Sequence, residues 1–335
     1  MISQKRVCDF VVAHRGLIEE LQPSFFEMNV ALAFDEFARK KVDVAVIETG
    51  LGGRLDSTNV IVPELSLITN ISFDHADLLG NTLELIATEK AGIIKAGIPV
   101  VISERQTESA AVFMQHAQKM QSALRFADDE VRWEGLHQRV MEAGTWLCGD
   151  AFLQETSIPI RSPLGAWYQK KNLSGVLVAV DELRKKGWKI NDWAIITGIA
   201  EVVSITGLRG RWEKLNDSPR IYCDTGHNEA GIQEIIQQLA HIEFEQLHWV
   251  WGMVGDKEVT KILSLLPKNA KYYFCKAQLP RAMDAQQLQE KAQQFGLKGE
   301  LYPSVKAALE AAKAAAQTND LVLVGGSTFV VAEVI

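Results

Sequence analysis

Cysteine is scarce. The chain has four in 335 residues, and Cys8, Cys148, Cys223 and Cys275 lie too far apart to form a C-x-x-C pair. That spacing argues against a zinc ribbon or a disulfide framework and fits a reducing compartment. Positive charge is in deficit, 35 Lys and Arg against 42 Asp and Glu for a net charge of -7. The basic footprint that draws phosphate backbones or anionic lipid is therefore missing, so neither nucleic acid nor membrane is expected as a partner. No apolar run approaches the roughly 18 residues of a membrane-spanning helix. The opening MISQKRVCDF lacks the apolar stretch of a secretion signal, and the expected location is the cytoplasm. Internal repeats are absent, and the one biased tract, AALEAAKAAA, is ordinary helix-forming sequence.

What is present is 47% hydrophobic and 23% charged residues, enough for about two packed domains. Val11, Ile18, Phe25, Phe26, Val30, Leu32 and Phe37 recur at helical spacing, broken at Pro23. VDVAVIE, residues 42–48, is a short β-branched run between charge and the glycine-rich TGLGGR, and reads as a central parallel strand. Strands at 65–72 and 98–103 flank a helical pattern over 82–95, which is βαβ punctuation. Residues 124–160 suggest a mixed or antiparallel extension, followed by a long helix from near Gln169. From about Leu208 a second α/β alternation runs through RIYCD, EAGIQEIIQQLAHI, LHWVWGM and finally DLVLVGG. The expected organisation is an α/β chain of two domains, 1–206 and 207–335.

Open α/β sheets bind ligands beyond the carboxyl ends of their strands, so polar residues there are the first candidates. Glu48 leads into Gly50, Gly52, Gly53 and Arg54, where backbone can approach a ligand closely; a surface carboxylate before a tight turn is the alternative. Asp74 and His75 offer a metal ligand or proton-handling group, or a helix-capping loop. Lys90 shares a helix face with Leu83, Ile86 and Ile93. Either its ammonium snorkels to water, or desolvation favours a neutral amine able to take up carbon dioxide as a carbamate, whose oxygens suit magnesium. Asp224, His227 and Asn228 crowd one turn, which can hold a ribose and place an imidazole by a phosphate, or simply cap a helix. Arg211 is a donor fork for phosphate or a linker ion pair. Gln169 and Asn172 lie one helical turn apart, and Gly325, Gly326 and Ser327 close the last strand.

Together, ETGLGGRLDSTN (48–59), TNISFDHADLLGNTLELIATEKAGIIKAG (69–97), GRWE (210–213), DTGHN (224–228) and PRA (280–282) resemble, in order, the folylpolyglutamate synthases of the Mur ligase superfamily. The resemblance covers nearly the whole chain. It implies a P-loop-NTPase-like domain of the Mur ligase central type followed by a Rossmann-like C-terminal domain. It also implies a ligase that uses ATP to join L-glutamate to a folate carboxylate, with dihydrofolate synthase activity on the same site.

By the same resemblance Glu48, His75 and carbamylated Lys90 hold magnesium, and Lys90 and His227 are catalytic. Gln169, Asn172, Arg211, Asp224 and Asn228 bind ATP, while Gly52, Arg54 and Asp56 lie by the folate, near Phe25 and Phe26. The expected state is a monomer. No G-x-x-x-x-G-K-[ST] run occurs, and in the family that loop lies upstream of the region matched by Met1; the expectation is slowed ATP turnover and an exposed sheet edge. The alternatives are another Mur-type amino-acid ligase or a non-catalytic folate- or nucleotide-binding remnant.

Overall fold

The structure, a computed structural model, describes residues 2–142, 144–255 and 259–335. It divides into two compact units. The first runs through Ile71 and takes in His75–Val100 and Gln106–Leu124; the second takes in Ser72–Asp74, Val101–Arg105 and Arg125–Ile335.

The chain opens with three helices, Gln4–Ala13, Arg15–Leu21 and Phe25–Lys40. Ser24 begins the third with a reciprocal capping box to Glu27, which satisfies two otherwise orphaned amides. A three-stranded sheet follows, formed by β1 (Ser66–Ile68), β2 (Val100–Ile102) and β3 (Leu124–Phe126) in that order. Residues 42–48 do not form the expected central strand. Among the described residues no strand pairs with them, and Val42, Val44 and Val46 are 43%, 57% and 92% exposed. Alternating β-branched residues supply a preference only, because a strand also needs a neighbour for its N–H and C=O groups.

The extension expected after residue 124 is an antiparallel meander of β4 (Val131–Met141), β5 (Gly144–Leu153) and β6 (Thr156–Ser162). The helix Gln169–Lys185 comes next. Then β7 (Glu213–Asp217), β8 (Arg220–Cys223), β9 (Leu247–Trp251), β10 (Lys271–Phe274), β11 (Lys298–Leu301) and β12 (Leu321–Gly325) form a six-stranded sheet ordered β11-β10-β9-β12-β8-β7. All its pairings are parallel except β7 with β8.

The central strands β8, β9, β10 and β12 are buried on both faces, and their alternation sorts the core into two layers. Trp249, Trp251, Tyr272, Phe274 and Leu323 face one layer, together with Ile232, Ile235, Ile262 and Leu288 from helices. Val250, Tyr273, Cys275, Val322 and Val324 face the other, with Val305, Ala308 and Ala312 of the alanine-rich helix. Cys223 belongs to the second layer, where burial pushes its thiol up and leaves it a core residue.

His248 sits fully buried on β9 between Tyr273 Oη at 2.7 Å and Asp320 Oδ2 at 3.2 Å. A neutral imidazole satisfies both, donating from Nε2 to the carboxylate and accepting the phenol proton at Nδ1. Burial holds the His248 pKa below its ordinary 6.5. Asp320 is opposed by burial, but amide donation from Gln317 and Gln246 and the contact with His248 hold its carboxyl low. The unfolded chain therefore binds a proton at His248 before the folded one does. Stability from this site is complete above pH 6.5 and falls as pH drops below that value. Comparing urea midpoints at about pH 7.5 and about pH 5.5 should show a smaller loss in His248→Gln than in the parent. Equal losses would remove His248 from the account.

Candidate active site

In the first unit, the loop at Gly50–Arg54 is seated on two helices. A Cβ at Gly52, where φ is +66°, would lie 2.8 Å from Leu79 Cδ2; one at Gly53 would lie 2.9 Å from the Glu89 carbonyl and 3.0 Å from that of Lys90. Glycine is thus required for the loop to touch the last turn of the helix Leu83–Ala91. Three candidate residues lie on the segments that meet here. Glu48 precedes the loop and is exposed, exposed His75 caps the short helix Ala76–Leu79 in a left-handed conformation, and Lys90 is half-buried in the helix the loop touches.

The helix ends at Ala91, so Ile93 lies beyond it and the buried face is carried by Ile86, Ala87 and Ala91, with Lys90 at its margin. Among the described residues no three His, Cys, Asp or Glu side chains form a metal site. A carbamate at Lys90 would supply oxygen donors like those of the Glu48 carboxylate, which suit magnesium, whereas the His75 imidazole offers nitrogen.

Arg54 and Asp56 organise the same loop. Arg54 donates to Glu89 from Nε at 3.2 Å and from Nη2 at 3.0 Å, and its backbone N–H donates to the Glu89 carbonyl at 2.8 Å. Asp56 accepts from the amides of Gly50, Leu51 and Thr58 at 2.8–2.9 Å and from the Thr58 hydroxyl. Burial opposes its ionisation, but these donors outweigh burial and hold the carboxyl below the usual carboxylate range. The Phe26 ring lies against Gly50, and Phe25 beside it is 79% exposed.

In the second unit the site is built at the carboxyl ends of β8 and β12. Asp224 N donates to the Val324 carbonyl at 3.1 Å, and the Asp224 side chain is buried. Its Oδ2 accepts from Tyr168 Oη and Trp212 N, each at 2.8 Å, and its Oδ1 accepts from Gly226 N at 2.8 Å. Burial pushes the Asp224 carboxyl up, and these donors and nearby Arg211 offset only part of that rise. The Tyr168 phenol is pushed well above its ordinary range, first by burial and then by Asp224, so it stays a donor. Gly210, at φ +74°, lets the GRWE segment approach; a Cβ there would lie 2.8 Å from Thr225 Cγ2. Arg211, next to Trp212, is exposed.

The rest of the turn is similarly tied. Asn228 caps the helix Glu229–Leu239 by accepting from Gly231 N at 2.8 Å and donates to Asp74 Oδ2 at 3.1 Å. His227 Nδ1 lies 3.0 Å from the Thr225 carbonyl, to which it donates, and Nε2 lies 3.8 Å from Asp74 Oδ2. Asn172 donates to Gln169 Oε1 at 3.0 Å. Lys171, between them, ion-pairs with Glu104 at 3.0 Å and Glu234 at 2.9 Å and pins this helix end.

The structure therefore gathers Asp224, Asn228, His227 and Arg211 on one segment pair and Gln169 and Asn172 on a helix start. It adds Tyr168 and Trp212, which the sequence does not single out, and ties Asp74, already a candidate beside His75, to Asn228. The only local signal for Tyr168 was its place just before Gln169, where an aromatic reads as core.

Residues 11–180 match the Mur ligase middle domain, and residues 210–328 match the Mur ligase glutamate ligase domain. The dihydrofolate synthase/folylpolyglutamate synthase of Bacillus subtilis is 31% identical over 324 residues, covering 93% of this chain and 72% of that protein. Mycobacterium tuberculosis folylpolyglutamate synthase, solved with ADP and AMPPCP, aligns over 99% of this chain and 78% of its own, at 28% identity and a TM-score of 0.83. A bifunctional folylpolyglutamate synthase/dihydrofolate synthase with Mn, AMPPNP and L-glutamate bound aligns at 25% identity and a TM-score of 0.81, over 99% of this chain and 76% of its own. The chain spans 37% of the length of a longer relative from Halobacterium salinarum, a probable bifunctional folylpolyglutamate synthase/dihydropteroate synthase.

Proposed function

The chain belongs to the Mur ligase family, in the branch of the folylpolyglutamate and dihydrofolate synthases, and we propose that it is an ATP-dependent ligase adding L-glutamate to a folate carboxylate. The observation that carries this reading is the glycine loop seated both on the helix of Lys90 and on Leu79, the last residue of the helix that His75 caps. Relatives bound to ADP, AMPPNP, Mn and L-glutamate support it. Residues 1–206 form the ATPase and folate domain and 207–335 the glutamate ligase domain, a division consistent with family matches over 11–180 and 210–328.

In this reading a carboxylate oxygen of the folate attacks the γ-phosphorus of ATP, and ADP leaves. The glutamate amine then attacks the acyl carbon, and phosphate departs with that carboxylate oxygen. Glu48, His75 and a carbamylated Lys90 would hold magnesium, which would supply neutralisation of charge on the phosphoryl oxygens. Asp224 receives the ribose, and Arg211, Gln169, Asn172 and Asn228 bound the nucleotide. His227, its Nδ1 proton committed to Thr225, offers Nε2 as a proton acceptor beside the phosphate. The glycine loop with Gly52, Arg54 and Asp56, together with exposed Phe25, forms the folate surface. The protein works as a cytoplasmic monomer on small molecules.

The test is ADP release with ATP and magnesium, offering tetrahydrofolate or dihydropteroate as acceptor. Release that requires both an acceptor and glutamate is expected. Glutamate transfer to a non-pterin carboxylate with no response to folates would favour another Mur-type ligase. Nucleotide binding without turnover would favour a non-catalytic binding protein.

A further inference from the structure

Asp224 is almost saturated before any ligand arrives. A carboxylate accepts about four hydrogen bonds. Oδ2 already takes two, from the Tyr168 hydroxyl and the Trp212 amide, and Oδ1 takes one, from the Gly226 amide. The Trp212 and Gly226 donors are backbone groups fixed by the turn, whereas Tyr168 comes from a different element, 56 residues away in sequence. Next to Tyr168 in sequence, the Gln169 side chain accepts from Asn172 at 3.0 Å. Filling both sites of Oδ2 leaves one on Oδ1, and a buried carboxylate cannot turn to offer another edge without breaking a bond to one of its donors.

We infer that Tyr168 is a positioning residue for nucleotide recognition, locking the Asp224 carboxylate so that the remaining site on Oδ1 accepts a ribose hydroxyl. This rests on reading Asp224 as a nucleotide residue. Removing the phenol hydroxyl opens a site on Oδ2 and frees the carboxylate to rotate.

The experiment measures binding of ATP and of 2′,3′-dideoxy-ATP, with magnesium, to the full chain and to Tyr168→Phe by calorimetric titration. Thermal midpoints of both proteins are measured alongside. A hydrogen bond to a charged group is worth about tenfold or more in affinity, so the parent should bind ATP roughly tenfold tighter than the dideoxy analogue. In Tyr168→Phe that ratio should fall towards one while affinity for the dideoxy analogue changes little.

A ratio retained in Tyr168→Phe overturns the positioning role, and a lowered midpoint with the ratio intact makes Tyr168 merely structural. Equal binding of both nucleotides by the parent shows that Asp224 receives no ribose hydroxyl, which overturns the inference while leaving nucleotide binding in place. No binding of either nucleotide overturns the nucleotide reading itself, and the inference with it.

Discussion

Lys90→Ala should lower folate- and ATP-dependent glutamate incorporation by about 10²–10³-fold, the scale on which a charge-stabilising group in a reacting phosphoryl site contributes. Lys90 is half-buried at the margin of an apolar helix face, and a loop that tolerates only glycine at positions 52 and 53 packs on its turn. An ammonium there would repel a divalent cation. A carbamate reverses the sign of the charge and supplies oxygen donors. The two roles separate experimentally: turnover of the parent should fall in carbon dioxide-depleted buffer and recover with bicarbonate, while the alanine variant responds to neither. Undiminished incorporation by Lys90→Ala would remove the residue from the mechanism.

Asp224→Ala should destabilise the second unit by about 3–5 kcal/mol, read as the shift in a urea transition. The methyl leaves the Tyr168 hydroxyl and the Trp212 and Gly226 amides without their acceptor, at about 1–3 kcal/mol for each buried donor with partial relaxation. Asp224 links the turn after β8, the GRWE segment and the start of the helix Gln169–Lys185, so its loss is felt in three places. Asp224→Asn should cost less, because an amide oxygen can still accept from one side while its NH2 opposes the donors on the other. A shift below about 1 kcal/mol for Asp224→Ala would mean that water replaces the carboxylate without penalty.

Much of this was legible in the residues. Strands β8, β9 and β12 are short apolar runs bounded by charge or glycine, and the helix Glu229–Leu239 keeps its apolar residues on one face. Local pattern suffices for such elements because burial on one or both faces writes itself into every second or every third to fourth residue. The segment 42–48 shows the limit: it has the pattern of a buried strand but lies exposed, since pairing depends on a neighbour that periodicity does not report.

The site was legible as residue types and order, not as contacts. Asn228 was read as either a ligand or a cap, and it does cap its helix while also reaching Asp74. Arg54 reads as folate-facing from sequence, and its pairing with Glu89, 35 residues on, is a contact that local sequence does not report. Tyr168 gave no chemical signal, because its meaning comes from a carboxylate on a distant strand end.

The central claim, amide formation through an acyl phosphate, is tested most directly by isotope transfer. With oxygen-18 in the reacting folate carboxylate, the protein should release one labelled oxygen into phosphate for each glutamate joined. Glutamate addition with unlabelled phosphate would contradict it.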